Sequence, residues 1–181
     1  MPLPDENLAS VRAVVAEFRR ALGGGGDNLH SDPLLGLLLD LHGTNLAQWK
    51  LEDEVRRPGL DDAAIAGAKS GIDRLNTRRH HLVEEIDAAI DHAVTQTPSA
   101  TPSTESPAIV FDRLSVLVIR IHHTELAAGS DRSAPNMYAE RLPILYEQLA
   151  ALEEALGAFL AEVQAGTRRF LPYQHLKLYA P

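Results

Sequence analysis

The sequence predicts an all-α fold, a helical bundle of four to five main helices with a docked C-terminal tail. Apolar residues recur every three or four positions over long stretches, and alanine and leucine dominate those stretches. The chain has 181 residues and is 45% hydrophobic, enough for one core. We therefore predict a single helical domain over 1–181, composed of a helix and Gly-rich turn (1–26), a helical half (32–94), a Ser/Thr/Pro loop (95–107) and a second helical half (108–181).

Boundary residues place the helices of the first half. Apolar residues share one face from Leu8 until the run Gly23 to Gly26, which predicts a helix and a flexible turn. Asp32 followed by Pro33 predicts an N-cap and first turn, and the helix they open ends at Pro58-Gly59. The third helix begins near Asp61 or Asp62. Its apolar residues repeat about every seven positions over about eight turns, which predicts packing along its whole length.

The second half begins after a stretch of different composition. The segment TQTPSATPSTESP cannot bury enough surface to order itself and is predicted to be a loop. The following AIVFDRLSVLVIRIHHTELAAG is apolar on nearly all sides, as a central helix is. A last long helix runs from about Asn136 to Gly166. The aromatic and leucine residues of RRFLPYQHLKLYAP predict a tail that packs back on the bundle.

Composition excludes several classes of function. A formal net charge of -8 argues against nucleic-acid binding, which needs a basic face. The absence of cysteine excludes disulfides, a thiolate nucleophile and a sulfur-ligated zinc site. We find no stretch of about 18 apolar residues and no signal peptide, so we expect no membrane span and a cytoplasmic location. A small apolar substrate is the expected partner, and a homodimer remains open.

Polar side chains lie on helix faces that should pack in the core. His42, Asn45 and Trp49 share one face of the second helix. Arg79 falls within the apolar face of the third and needs a partner, for which we expect Glu52 or Asp53. On the central helix Asp112, Ser115 and His123 form a stripe. The candidate site residues are His42, Asn45, Trp49, Glu52, Asp53, Asn76, Arg79, Arg120, His122 and His123.

Two interpretations of these stripes remain open. Ion pairs and hydrogen bonds between them would fix the register of the bundle, or they would surround a polar cavity that holds a ligand. Three histidines on apolar helices favour proton transfer. Neighbouring histidines point about 100° apart on a helix, and no Glu-x-x-His pattern occurs, so we expect no metal.

Four blocks of sequence carry a resemblance to a known family. They are LHGTNLAQWKLEDEVRR, KSGIDRLNTRRHHLVEEID, FDRLSVLVIRIHH and YQHLKLY, and in this order they resemble the bacterial domain-of-unknown-function family 4254 from about Leu34 to Tyr179. The chain departs from the family pattern at Thr77, His80, His81, Arg120, His122, Ala180 and Pro181. The pattern itself is present at His42, Asn45, Trp49, Glu52, Asp53, Lys69, Asp73, Asn76, Arg79, Glu84, Asp87, Asp112, Arg113, Ser115, His123, Tyr173, Lys177 and Tyr179.

The resemblance implies an all-helical enzyme that tailors a polyketide-type natural product. Its activity would be loss of a β-hydroxyl followed by Michael-type carbon-carbon ring closure, a lyase and cyclase chemistry that needs no cofactor. His123 would be the main general base or acid, with His122 or His42 as its counterpart.

The remaining candidates would support that chemistry. Glu52 or Asp53 would orient the histidine, and Asn45 and Trp49 would contact substrate. An enolate oxygen would be held by Asn76, Arg79 and Arg120. Two alternatives stay open: a non-catalytic helical module that binds a lipid-like or envelope-glycan intermediate or a partner enzyme, and a metal-dependent hydrolase.

Overall fold

The computed structural model describes residues 7–24, 32–56, 58–131 and 135–176, and over these ranges it confirms the all-α bundle. These ranges form five helices and one two-stranded parallel sheet. Gly25, Gly26, Lys177, Tyr179, Ala180 and Pro181, which the sequence analysis singled out, lie outside the described residues. The elements are α1 (Asn7–Leu22), α2 (Pro33–Val55), α3 (Asp62–Ala93), β1 (Thr101–Pro102), α4 (Pro107–Ser130), α5 (Met137–Gln164) and β2 (Arg168–Arg169).

Side-chain caps set the starts of three helices, as the sequence predicts. The Asp32 carboxylate accepts hydrogen bonds from two backbone N–H groups of the first turn of α2, at 2.9 and 3.3 Å. Asp61 accepts one at the start of α3, at 2.7 Å, and Asn136 accepts two at the start of α5. Each cap satisfies amide groups that have no partner within the helix. These boundaries are local in origin and therefore readable from sequence.

Helix α4 occupies the centre of the bundle. It contacts α1, α2, α3 and α5, and its apolar residues are buried on several sides, among them Phe111, Leu114, Val118 and Ile121. The prediction of a central helix from its nearly continuous apolar surface is confirmed. Because α4 touches every other helix, its polar residues Asp112 and Ser115 are buried against neighbouring helices, whereas Arg113 and Arg120 are exposed.

Helix α3 is buried along only part of its length. Leu82, Ile86 and Ile90 are fully enclosed, whereas Ile65 and Ile72 are only half-buried against α2. Helix α3 therefore packs against α2 over its first half, but it is fully enclosed only over its second half. Among the described residues, the hydrogen bonds between α3 and α4 involve Arg79 and Asp87 of that second half.

Backbone pairing ties the loop and the tail together. The amide of Thr101 donates to the carbonyl of Thr167 at 3.2 Å, and that of Ser103 to Arg169 at 2.8 Å. The Ser/Thr/Pro segment is thus held by a partner far away in sequence. The tail docks as predicted, with Phe170 3% exposed, but Leu171 and Leu176 are 77% and 85% exposed. Aromatic side chains and backbone amides hold the tail, and those two leucines do not.

Within the described ranges, none of the helices is both long and apolar enough to cross a membrane.

Loss of the cap on α2 should lower stability. Asp32→Ala is expected to reduce the free energy of unfolding by about 1 kcal/mol, because two first-turn amides lose their acceptor. Asp32→Asn should be nearly neutral, since asparagine caps as well as aspartate. Urea denaturation followed by circular dichroism measures both variants. Equal losses in the two would show that charge, and not capping, is what Asp32 contributes.

Candidate functional site

An ion pair between α3 and α4 forms the centre of the site. Arg79 donates from Nε to Asp112 Oδ1 at 2.7 Å and from Nη2 to Asp112 Oδ2. The Asp112 side chain is 6% exposed and that of Arg79 31% exposed. The paired carboxylate raises the pKa of the guanidinium, which stays charged at every relevant pH. Two of the five N–H donors of Arg79 are used by Asp112, so others remain for a ligand.

A buried network extends from this pair toward α2. Asn45 Nδ2 lies 3.0 Å from Asp112 Oδ1 and 3.1 Å from Ser115 Oγ, to both of which it can donate. Ser115 Oγ in turn lies 2.9 Å from His42 Nδ1. Four polar side chains from α2 and α4 are thus linked by hydrogen bonds in the core, where the low local dielectric favours such pairing, although His42 Nε2 has no hydrogen-bond partner among the described residues. This network fixes the register of α2 against α4.

His42 is enclosed at the far end of the network. Its ring stacks on Phe18 of α1 with centroids 4.4 Å apart, and the residue is 1% exposed. Burial disfavours the imidazolium and lowers the pKa of His42 to about 4, although the nearby Phe18 backbone acts in the opposite direction. His42 is therefore neutral at physiological pH and has no direct contact with solvent.

The predicted partners of Arg79 are elsewhere. Glu52 and Asp53 both lie near Arg56 of the same helix, at 3.8 and 3.3 Å. Glu52 also accepts a hydrogen bond from Gln48. The expectation that one of them neutralises Arg79 is wrong, because Asp112 of the central helix reaches the guanidinium directly. Glu52 acts on Arg79 only as a more distant negative charge.

A second polar cluster joins the tail to α3 beside Arg79. Tyr173 Oη lies 2.8 Å from His80 Nδ1, and the ring of His80 stacks on His175 at 4.1 Å. The Glu84 carboxylate accepts from the backbone amide of His175 at 2.5 Å. Asp87, fully buried, accepts from the amides of Tyr173 and Ala108, at 2.8 and 2.9 Å. The tail is thus positioned by two carboxylates, Glu84 and Asp87, that belong to the family pattern.

The electrostatics of this cluster set the protonation state of each group. Burial is the main cause that lowers the pKa of His80, and the neighbouring His175 and Arg79 act in the same direction. Burial and Glu84 raise the pKa of Tyr173. Near neutral pH His80 is therefore a neutral base and Tyr173 a protonated phenol, in hydrogen-bond contact with each other.

His123 belongs to a third place on the molecule. Its ring stacks on Trp49 of α2, with centroids 5.3 Å apart, and His122 meets it edge-on. Burial and His122 lower the pKa of His123. His123 lies eleven residues after Asp112 on α4, about 16 Å along the helix axis. It is therefore separate from the Arg79–Asp112 pair.

An open groove of about 660 Å³ runs between α4 and α5 and reaches the Arg79–Asp112 pair. Its apolar floor combines small and branched side chains of the two helices, including Leu117 and Leu152. A neighbouring cavity of about 410 Å³ is lined by Tyr173 and the 102–106 loop. Arg113 of the groove pairs with Glu105 of that cavity at 2.5 Å, so their linings adjoin. The groove is lined by Arg79, Asp112, Arg113, Val116, Leu117, Arg120, Gln148, Ala151, Leu152 and Ala155.

The candidate residues thus do not all come together in one place. His42, Asn45 and Arg79 share one network, Trp49, His122 and His123 form another group, and Arg120 lines the groove. Glu52 and Asp53 lie at the end of α2 near Arg56, and Asn76 is half-buried on α3. Lys69 and Asp73, which belong to the family pattern, are exposed.

Sequence reasoning left His80, Tyr173 and the α5 side of the groove out of the candidate site. In the sequence, His80 is marked only as a departure from the family pattern, and Tyr173 only as a family-pattern residue in the predicted tail. No periodic signal marks Ala151 or Ala155, since an alanine-rich face looks the same whether it packs or lines a groove.

In the part of the chain that the structure describes, no group of three or more histidine, aspartate or glutamate side chains is arranged to hold a metal ion.

The fold and the groove define a class of protein, an α-helical bundle with an arginine-lined groove against a central helix. The chain belongs to the family described as "Protein of unknown function (DUF4254)", whose profile matches residues 36–171, well over half of the chain. Three of the four sequence blocks fall in that range, and YQHLKLY lies beyond it. Neither the curated proteins nor the solved structures that were compared gave a match.

Breaking the central ion pair should destabilise the fold. Asp112→Asn leaves the Arg79 cation without its counter-charge and should cost about 2 kcal/mol, less than for a fully buried pair because Arg79 is partly exposed. Combined with Arg79→Met, the loss should be smaller than the sum of the two single losses by more than about 1 kcal/mol. Urea unfolding of the four proteins measures this coupling; additive losses would contradict the pair's role.

His42 should make stability depend on pH. Because its pKa is about 4 when folded and near 6.5 when unfolded, the unfolded state binds the proton first as pH falls. The contribution of neutral His42 to the free energy of unfolding should therefore be fully present above about pH 6.5 and should decline by about 3 kcal/mol toward pH 4. His42→Asn should flatten that part of the profile relative to wild type. Equal slopes for both proteins between pH 4 and 6.5 would show that His42 does not titrate this way.

Proposed function

We propose that this protein is a cofactor-independent acid–base enzyme, which removes water from a β-hydroxy carbonyl substrate of polyketide type and then closes a ring by Michael-type addition. The observation that carries the proposal is the position of Arg79. This side chain lines the apolar groove, keeps N–H donors that Asp112 does not use, and lies beside the Tyr173–His80 pair.

Arg79 would bind the substrate carbonyl oxygen. A guanidinium held in one orientation by a carboxylate needs no reorganisation when negative charge develops on that oxygen in the enolate. Asp112 supplies that orientation, and Asn45 and Ser115 orient Asp112 in turn. The buried network would thus position the cation without touching substrate.

Tyr173 and His80 would move the protons. Tyr173 Oη takes the α-proton while its own proton passes to His80 Nδ1, and the enolate forms against Arg79. The reverse transfer delivers a proton to the β-hydroxyl, which leaves as water, and a conjugated carbonyl compound remains.

Ring closure would use the same groups. The pair takes a proton from a second carbon of the substrate, that carbon bonds to the β-carbon, and the resulting enolate is protonated at its α-carbon. The apolar floor of the groove would hold the chain folded so that the two carbons meet, which lowers the entropic part of the barrier.

This assignment differs from the roles that the family resemblance suggests. His42 is enclosed against Phe18, so we assign it to positioning Ser115. His123 lies about 16 Å from Asp112 along α4, too far to act on a carbonyl bound to Arg79. A proton-transfer pair and an oxyanion-binding cation have to act within a few ångströms of one carbonyl group.

The proposal is tested with a linear β-hydroxy polyketide-type thioester, with loss of water and ring formation followed by mass spectrometry. Tyr173→Phe should lower turnover about 100-fold or more while helical circular dichroism is retained, because only the hydroxyl is removed. His80→Ala should have a comparable effect. Absence of turnover above the no-protein background would refute the enzyme and favour a non-catalytic binding module.

Two histidine variants complete the experiment. His92→Ala, on the exposed side of α3, removes an imidazole far from the groove and should leave turnover unchanged. His123→Ala decides between the two proton-transfer assignments. If His123→Ala abolishes turnover and Tyr173→Phe does not, the chemistry occurs at the Trp49–His123 stack and the assignment to Tyr173 is wrong.

A further inference from the structure

The groove between α4 and α5 has a charge opposite to that of the whole chain. Three arginines and one aspartate line it, a formal charge of +2, whereas the full chain carries -8. Glu105, which pairs with Arg113 from the neighbouring cavity, reduces this local charge to +1, and a positive groove on an acidic protein concentrates anions locally. The groove is therefore suited to a ligand with at least one negative group.

Arg120 is the cation that would bind the negative group of such a ligand. Arg79 is paired with Asp112 and Arg113 with Glu105. Arg120 is exposed at the groove, and no carboxylate within the described ranges lies at ion-pair distance from it. Arg113 and Arg120 are seven residues apart on one face of α4, about 10 Å along the axis. When an anionic group is bound next to Arg120, the rest of the groove, as far as Arg79, is available for the remainder of the ligand.

The remaining lining is apolar and shallow. Val116 and Leu117 of α4 face Ala151, Leu152 and Ala155 of α5, and Gln148 is the only uncharged polar side chain in the lining. The volume of about 660 Å³ lies within the range of about 300–1,000 Å³ typical of small-molecule sites. Small side chains on α5 keep the floor open for an alkyl chain or polyene.

We propose that this groove binds an amphipathic anion, a chain of about ten carbons whose terminal carboxylate or phosphate pairs with Arg120 while the chain lies on the apolar floor toward Arg79. This inference rests on the proposed function, which identifies the groove as the substrate site. It adds the class of substrate that the groove binds. A carboxylate and a phosphate share the chemistry that Arg120 recognises, since both accept two parallel N–H donors.

Isothermal titration calorimetry with the full chain tests this, with decanoate and decyl phosphate as probes below their micelle concentrations. Both anions should bind, and decanol should bind at least about tenfold more weakly, because a charge-assisted hydrogen bond contributes more than about 1.4 kcal/mol. The tighter of the two anions identifies the headgroup. Equal affinity for decanol and the anions would overturn the proposal.

A matched pair of variants places the anion. Arg120→Gln should weaken decanoate binding about tenfold and reduce its dependence on salt. Arg74→Gln removes one arginine charge on exposed α3, outside the groove, and should change affinity less than twofold. Equal weakening by both variants, or none by Arg120→Gln, would show that general charge governs binding and would refute the site.

The two proposals fail separately. If anions bind through Arg120 while no β-hydroxy thioester is turned over, the ligand class stands and the enzymatic proposal falls. If turnover depends on Tyr173 while Arg120→Gln changes neither anion affinity nor KM, the enzyme stands and the anion site falls.

Discussion

The Asp112 carboxylate is the group on which the arrangement of the site depends. It is almost completely buried on the central helix, and a buried carboxylate is tolerated only with strong partners. Arg79 of α3 supplies the charge and Asn45 of α2 an additional hydrogen bond. The Asp112 side chain thus fixes the axial register of α2 and α3 relative to α4. Apolar packing alone would not fix that register.

The polar network and the tail reach Arg79 from different sides. On the interior side the network ends at His42, a neutral ring that is stacked on Phe18 and 1% exposed. On the outer side Tyr173 and His80 are partly exposed and in contact with each other. The guanidinium of Arg79 thus lies between a buried hydrogen-bond network and two titratable groups near the surface.

The tail is held by carboxylates as well as by the buried ring of Phe170. Asp87 and Glu84 accept backbone amides of Tyr173 and His175, while Leu171 and Leu176 stay in solvent. Burial raises the pKa of Asp87, and the bonds from Tyr173 and Ala108 oppose that shift. The position of Tyr173 beside His80 follows from these backbone contacts. A side chain nine residues after the end of α5 therefore becomes part of the candidate site.

The sequence by itself determined the helices, their boundaries and the central place of α4. Those features arise from local causes: caps such as Asp32 and Asn136, breakers such as Pro58-Gly59, and an apolar surface that needs neighbours on every side. The sequence also showed that Arg79 belongs to a family block and that its charge needs a partner. Only the tertiary structure decided that the partner is Asp112 and that Tyr173 lies against His80. It also separated His123 from Arg79 and left a groove between α4 and α5. Helical periodicity shows which residues share a face, but the register between helices decides which faces meet, and register is set by contacts between residues far apart in sequence.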